Sequence, residues 1–285
     1  MEDLPFEFCE SVVAALKNPS TIGDRLSSHV WQTAIAENVT NRINVCFDVG
    51  YENGVWSYGL SGFTFDDLQK VNRKYLRISK IDFEPRRSGE NQSTFEEILR
   101  IITFTAPFAS MSTLVLWKVD LFPHDRLLQL LSFFQNSSFY GLYSYDTFEA
   151  FEDAVAEIFK SNTLREVQLL KTIISVPFAA TIAEFALAQP FKYLLVEARN
   201  FRFNRSFFEQ LFAKSLDASF GNCEFQSAFH FEIQDLKNFK KEQQINKSIN
   251  SIQWNRKDGV QFKVMKYCTH DHVTQFIKIQ FSKEN

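Results

Sequence analysis

Between residues 113 and 212 the chain repeats one local pattern, in which a short apolar strand is followed by an amphipathic helix. This alternation is typical of α/β domains. A single strand and helix cannot bury both of their surfaces, so neighbouring units are expected to stack. The predicted strand and helix pairs are 113–117 with 125–134, 141–145 with 148–159, 164–169 with 179–187, and 193–197 with 205–212.

The spacing of these units indicates a particular kind of α/β fold. From one strand start to the next the steps are about 28, 23 and 29 residues, which lies within or at the edge of the leucine-rich repeat range. We therefore predict an α/β fold, a leucine-rich-repeat-like solenoid with an exposed strand face. The alternative is a closed α/β domain with the same alternation. The sequence has no phosphate-binding loop motif, which weakens that alternative.

The first 42 residues have a different pattern and predict a module of three short helices. The first helix, which Pro5 opens, has an apolar residue at every fourth position: Leu4, Phe8, Val12 and Leu16. The second helical stretch places three apolar residues on one face: Ile22, Leu26 and Val30. A third helix is predicted over residues 33–39.

After residue 42 the pattern changes to strands, and we predict one leucine-rich-repeat-like α/β domain over residues 43–285. Asn53-Gly54 separates strands 43–49 and 55–60, which predicts a hairpin. A further strand is predicted over residues 75–83 with three buried positions: Leu76, Ile78 and Ile81.

The C-terminal end of the chain predicts a second antiparallel element. Strands 252–254 and 260–264 flank Asp258-Gly259, a favoured hairpin turn, and a last strand follows over residues 273–281. An array of stacked repeats needs a cover for its open apolar end. We therefore predict that this C-terminal hairpin caps the array.

Composition excludes several classes of function. The 285 residues are 45% hydrophobic and carry a net charge of −3, which favours a globular protein and not a nucleic-acid or membrane surface. No run of apolar residues is long enough to span a bilayer. The acidic start, Met1-Glu2-Asp3, differs from a secretory signal, so we expect a cytoplasmic or nuclear location. The 32 Phe residues indicate an extensive core.

The sequence has no motif that would support catalysis. Nucleotide, dinucleotide, zinc-protease and hydrolase signatures are missing, so we predict no enzyme activity and no cofactor. The four Cys residues are widely spaced and are interpreted as buried thiols. The segment His270-Asp271-His272 is the densest set of metal-ligand types, but a polar turn between strands explains it better than a metal site.

About the first 40 residues resemble an F-box, with the matching positions between Leu4 and Trp31. The resemblance rests on Leu4-Pro5 followed by apolar helical positions, and on Ser27-Ser28 close to Trp31. An F-box-like module, repeat-like units and a C-terminal hairpin in this order also resemble the nematode F-box and F-box-associated-domain proteins. Cys9 and Glu10 depart from the F-box pattern, which commonly has bulkier apolar residues there.

The resemblance implies a substrate receptor of an SCF-type cullin ubiquitin ligase. In such a receptor the F-box-like helices dock on a Skp-type adaptor while the rest of the chain captures a target protein. The adaptor-binding residues that it implies are Leu4, Pro5, Phe8, Val12, Leu16, Ile22, Leu26 and Trp31. The alternative function is a non-enzymatic repeat protein that binds a partner without any connection to a ligase.

No local motif identifies the target protein. Strand ends, exposed aromatic rings and Arg side chains are favoured in protein interfaces. On that basis we predict a target-binding surface formed by Tyr143, Tyr145, Glu197, Arg199 and Arg202.

Overall fold

The chain divides into two compact units in the computed structural model. The first unit comprises Met1–Trp117 and Leu121–Gly141, and the second comprises Lys118–Asp120 and Leu142–Asn285. The predicted boundary after residue 42 stays a prediction. The residues that the structure describes are 5–16, 19–23, 26, 28–85, 91–146, 149–215, 223–236, 239, 244–247, 251–255, 260–268 and 275–283.

The first unit combines helices with a mixed sheet. Its helices are α1 (Phe6–Ala15), α2 (Ser20–Gly23), α3 (His29–Asn41), α4 (Phe65–Lys70), α5 (Phe95–Thr105) and α6 (His124–Ser132). Its strands are β1 (Ile43–Glu52), β2 (Val55–Gly59), β3 (Leu76–Glu84), β4 (Asn91–Ser93) and β5 (Thr113–Trp117). The first and third predicted helices correspond to α1 and to α3, which starts at His29 and includes the predicted segment 33–39. The second predicted stretch is wrong in extent, because α2 ends at Gly23, Leu26 lies outside any helix and Val30 belongs to α3.

The sheet of the first unit has the strand order β5-β3-β1-β2-β4. Strands β1, β3 and β5 are parallel, whereas β2 is antiparallel to both β1 and β4. The predicted hairpin is confirmed, because Asn53 and Gly54 join β1 to β2 with positive φ angles of 52° and 86°. The three positions of β3 that were predicted to be buried are buried.

The second unit has a mixed sheet with the strand order β6-β7-β8-β9-β13-β12-β11-β10. Strands β7, β8 and β9 are parallel, and β9 is antiparallel to β13. Its strands are β6 (Gly141–Tyr145), β7 (Glu166–Thr172), β8 (Tyr193–Ala198), β9 (Cys223–Ser227), β10 (Gln244–Lys247), β11 (Ser251–Asn255), β12 (Val260–Cys268) and β13 (Gln275–Lys283). Its helices are α7 (Glu152–Phe159), α8 (Val176–Ala188) and α9 (Arg205–Ser215).

The prediction of a leucine-rich-repeat-like solenoid is wrong. A solenoid of that kind keeps the strands of successive repeats parallel, whereas the sheet of each unit mixes parallel and antiparallel strands. In the first unit β1 lies between β2, to which it is antiparallel, and β3, to which it is parallel. The strand and helix alternation was read correctly, but it belongs to a mixed α/β sheet.

The C-terminal strands do not cap an array. Residues Ile277–Phe281 of β13 pair with β9, and β12, β11 and β10 follow β13 in the same sheet. The predicted cap is therefore wrong, because these strands extend the sheet sideways instead of covering an end. The predicted turn at Asp258-Gly259 lies outside the described residues.

Aromatic side chains form much of the core of the second unit. Phe212 of α9 contacts Trp254 of β11 and Phe262 of β12, with ring centroids 5.6 Å and 4.8 Å away. The indole nitrogen of Trp254 donates a hydrogen bond to the Phe239 carbonyl oxygen at 3.1 Å, so the buried ring keeps its polar group satisfied. The interpretation of the Phe content as a packing signal is consistent with these contacts.

Candidate protein-binding surfaces

The three N-terminal helices share a small apolar core. Cys9 and Val13 of α1 pack against Trp31, Ala34 and Ile35 of α3. Partly buried side chains pack onto this cluster from around it: Phe6, Ile22, Leu26 and Val30. The buried side of α1 is therefore the one that carries Phe6, Cys9 and Val13, which are three and four residues apart.

Three apolar residues of the α1 segment point away from this core. Phe8 is 50% exposed and Val12 is 36% exposed, one helical turn apart, and Pro5 is exposed immediately before the helix. We call Pro5, Phe8 and Val12 the α1 apolar face. Large apolar side chains at neighbouring positions on a surface mark a site for a partner more often than scattered ones do.

The remaining residues predicted to bind an adaptor do not share this exposure. Trp31 is buried at 8% exposure, Ile22 and Leu26 are partly buried against the same core, and Leu16 is half-buried beyond the end of α1. Leu4 lies outside the described residues. The structure thus exposes Pro5, Phe8 and Val12 on the surface, and the Trp31 ring contacts that of Phe8.

Ionic and hydrogen-bonded contacts fix these helices to the strands that follow. The Lys74 ammonium pairs with Glu10 of α1 and lies 3.4 Å from the Glu37 carboxylate of α3. The Tyr75 hydroxyl donates a hydrogen bond to the same Glu37 carboxylate. This hydrogen bond, together with the Lys74 charge, holds the pKa of Glu37 below its usual value.

The sheet of the second unit is covered on one face, and its other face is partly exposed. In β7 and β8 buried residues alternate with half-buried ones, which is the pattern of a sheet covered on one side. Adjacent parallel strands joined by right-handed crossovers place α8 and α9 on the same side. The other side, which we call the open sheet face, carries Tyr143, Tyr145, Glu166, Gln168, Tyr193, Leu195, Glu197, Glu224 and Gln280.

Most of the predicted target-binding residues lie at this face. Tyr143 and Tyr145 alternate with buried positions in β6, and Glu197 does so in β8. Arg199 follows β8 and lies 3.6 Å from the Asp146 carboxylate. Arg202 is exposed farther along the loop towards α9. The structure therefore gathers four of the predicted residues near the strand ends, with Arg202 beyond them.

Sequence reasoning missed a ladder of charged and polar side chains across the open sheet face. Glu166 accepts a hydrogen bond from Tyr143 at 2.9 Å and pairs with Lys192 at 2.9 Å. Glu224 pairs with Lys278 at 2.7 Å. Burial raises the pKa of Glu224, but hydrogen bonds from Lys278 and neighbouring amides outweigh burial and hold it below its usual value. The Glu166 and Glu224 pairs join residues that are far apart in sequence and that the pairing of strands brings together, so no local motif could have indicated them.

An acidic cluster lies on β1 and β3. Asp48 is the register partner of Asp82, and the carboxylates of Asp48, Asp82 and Glu84 approach within 4.8 Å of one another. Oxygen ligands of this type suit hard cations. The Lys80 ammonium pairs with Asp82 and supplies positive charge to the cluster. Burial lowers the pKa of Lys80, and the three carboxylates reverse this to give a net rise.

The cysteine thiols differ in their burial. Cys9 and Cys223 are buried thiols, as predicted, and burial raises the pKa of Cys223. Cys46 is half-buried. The segment 270–272 lies outside the described residues.

Comparison with known proteins adds no relative. The chain matches no protein-family model, no curated protein and no solved structure. Among the described residues no helix combines the length and the apolar character needed to cross a membrane.

Proposed function

We propose that this protein is a substrate receptor of an SCF-type cullin ubiquitin ligase. The α1 apolar face docks on a Skp-type adaptor, and the open sheet face of the second unit captures the target protein. The F-box resemblance of residues 4–31 supplies the identity of the adaptor, and the geometry of α1 supports docking at this position.

The observation that carries the proposal is the outward direction of Phe8 and Val12. The helix already has a complete inner side, since Cys9 and Val13 fill the contact with α3. Phe8 and Val12 thus add a second apolar strip, which is largely exposed although the Phe8 ring touches Trp31 at its edge. Burying a half-exposed Phe and Val against a partner removes apolar area from water, at about 25 cal/mol per Å².

The open sheet face supports the second half of the proposal. It carries Tyr143, Tyr145 and Tyr193, and Tyr is one of the residues that are enriched in protein interfaces. Tyr143 is held in place by its hydrogen bond to Glu166, so little conformational freedom remains to be lost on binding.

A binding assay with a purified Skp-type adaptor tests the proposal. The intact chain should capture the adaptor, and the double variant Phe8→Asp, Val12→Asp should lose it, since two carboxylates would have to be desolvated at the interface. Circular dichroism of the variant should match that of the intact chain because both positions are exposed.

The alternative function is a partner-binding protein without a ligase connection. If the intact, folded chain does not bind any Skp-type adaptor offered at micromolar concentration, the ligase proposal is wrong. Binding that the double variant retains would also contradict it, because the docking surface would then lie elsewhere.

A further inference from the structure

The first unit contains a cavity of about 470 Å³ beside the C-terminal end of α1. The volume is within the usual range for small-molecule sites. Its wall combines positive, hydroxyl and apolar groups, of which the most informative are Arg42, Arg77, Ser79, Ser110, Phe108 and Met111. Ser79 and Ser110 are exposed, so they lie where the cavity meets solvent.

Two arginine side chains meet at one wall of this cavity. Arg42, immediately after α3, donates hydrogen bonds to the carbonyl oxygens of Leu16 at 2.8 Å and Ala14 at 3.2 Å. Arg77 of β3 donates from Nε to the same Ala14 oxygen at 2.8 Å. Because both guanidinium groups bind one oxygen, their positive charges lie side by side.

No carboxylate among the described residues pairs with Arg77. Its hydrogen bonds go to the neutral carbonyl oxygens of Ala14 and Leu76, and its Nη2 has no acceptor among the described residues. Burial lowers the pKa of Arg77, and burial together with the Arg77 charge lowers that of Arg42. Both remain protonated at neutral pH, since an arginine does not deprotonate in proteins.

We propose that this cavity binds a small organic phosphate, with its phosphoryl group between Arg42 and Arg77 and its apolar part against Phe108 and Met111. No acidic residue is among the residues that line the cavity in the described chain. Among the described lining residues an anion therefore meets two guanidinium groups and no carboxylate. The Ser110 hydroxyl offers a further hydrogen bond at the entrance, whereas the Ser79 hydroxyl donates to the Val45 carbonyl oxygen at 3.2 Å.

A phosphomonoester fits this wall better than a carboxylate does. It brings nearly two negative charges and three acceptor oxygens at neutral pH, whereas a carboxylate brings one charge and two oxygens. Paired guanidinium groups are the arrangement that proteins favour for phosphate recognition. The apolar wall gives the rest of the ligand a surface, so a phosphate attached to an apolar group should bind more tightly than inorganic phosphate.

Titration calorimetry of the full-length protein with phenyl phosphate tests the proposal. We expect saturable binding that is stronger than that of inorganic phosphate. Affinity should increase as the pH is raised through about 6, where the second phosphate proton is lost. Arg77→Gln should weaken binding by about tenfold or more, as expected for the loss of a charged contact. Arg73→Gln removes an exposed arginine of the same unit and should leave binding unchanged.

Replacing Arg77 also removes its hydrogen bond to the Ala14 carbonyl oxygen at the end of α1. A second pair of variants, at Ser110, leaves that hydrogen bond in place. Ser110→Glu places a carboxylate at the exposed entrance and should weaken phenyl phosphate binding by about tenfold. Ser110→Gln has a similar size without the charge and should bind nearly as tightly as the natural protein.

Three outcomes would overturn the proposal. These are no saturable binding of phenyl phosphate at about 1 mM, equal affinities for Ser110→Glu and Ser110→Gln, or phenyl phosphate binding no more tightly than inorganic phosphate. The first would mean that the two guanidinium groups serve only to hold the end of α1. None of these results depends on whether the protein binds a Skp-type adaptor.

Discussion

The ring of Phe8 meets the ring of Trp31 edge-on, with centroids 6.4 Å apart and an interplanar angle of 79°. Their exposures are opposite, 50% for Phe8 and 8% for Trp31. Trp31 belongs to the core of the N-terminal helices, and Phe8 belongs to the α1 apolar face. The core therefore holds the exposed ring in position before any partner arrives, which lowers the entropy lost on docking.

This relationship predicts unequal effects on stability. Trp31→Ala should lower the free energy of unfolding by about 3–5 kcal/mol, because it leaves a cavity among Cys9, Val13 and Ile35. Phe8→Ala should lower it by about 1 kcal/mol or less, since only part of that ring is buried. Urea unfolding of both variants measures the difference, and equal losses would contradict the assignment of inner and outer faces.

The contact between Tyr75 and Glu37 predicts a pH dependence. Because the pKa of Glu37 is lowered in the folded protein, its carboxylate stabilises the fold fully above the pKa of the unfolded chain. This contribution is lost as the pH falls through the lowered folded-state value. Tyr75→Phe removes the hydrogen bond that is the main cause of the shift. Urea unfolding at pH 7 and at about pH 3.5 should show a smaller loss of stability on acidification in the variant than in the natural protein. An unchanged pH dependence would show that this bond does not form in solution.

Neighbouring leucines of β7 test whether only one side of the sheet is covered. Leu169 is buried and Leu170 is half-buried on the open sheet face. Leu169→Ala should cost about 2–5 kcal/mol of unfolding free energy, and Leu170→Ala clearly less, because a cavity forms only at the covered side. Chemical unfolding provides both values. If Leu170→Ala costs as much as Leu169→Ala, that face is covered and cannot be the target surface.

The turn between β1 and β2 predicts a purely conformational effect. Gly54 has a φ of +86°, and a Cβ at this position would meet no atom within 4 Å. Gly54→Ala should therefore lose about 1 kcal/mol through backbone strain alone. Thermal unfolding measures this loss, and a variant as stable as the natural protein would show that the turn adopts another conformation.

Local patterns predicted the elements better than their arrangement. Strands β5 and β6 have the predicted bounds, and Asn53-Gly54 forms the predicted hairpin, because short-range sterics decide turns and strands. Strand β9 was missed, since its sequence CEFQS alternates too few apolar residues to stand out. The solenoid prediction failed because repeat spacing does not report the antiparallel pairing of β9 with β13.

Long-range contacts explain why the candidate sites were predicted only in part. The sequence stripe of α1 included Phe8 and Val12, which the structure exposes, but periodicity could not tell which of two apolar strips faces the core. Arg42 and Arg77 are distant in sequence, and both donate hydrogen bonds to the Ala14 carbonyl oxygen. Glu166 and Tyr143 are also distant in sequence, and they meet because β6 and β7 are adjacent in the sheet.

The equilibrium affinity for a purified Skp-type adaptor, measured for single variants, tests the central claim most directly. Phe8→Asp should weaken binding by about 30-fold or more, as expected when an aromatic anchor is replaced by a charge. Val39→Asp is the matched control, because Val39 is also exposed, at 48%, but lies on α3 outside the α1 apolar face. The account predicts that Val39→Asp binds like the natural protein. Equal affinities for Phe8→Asp and the natural protein would contradict it.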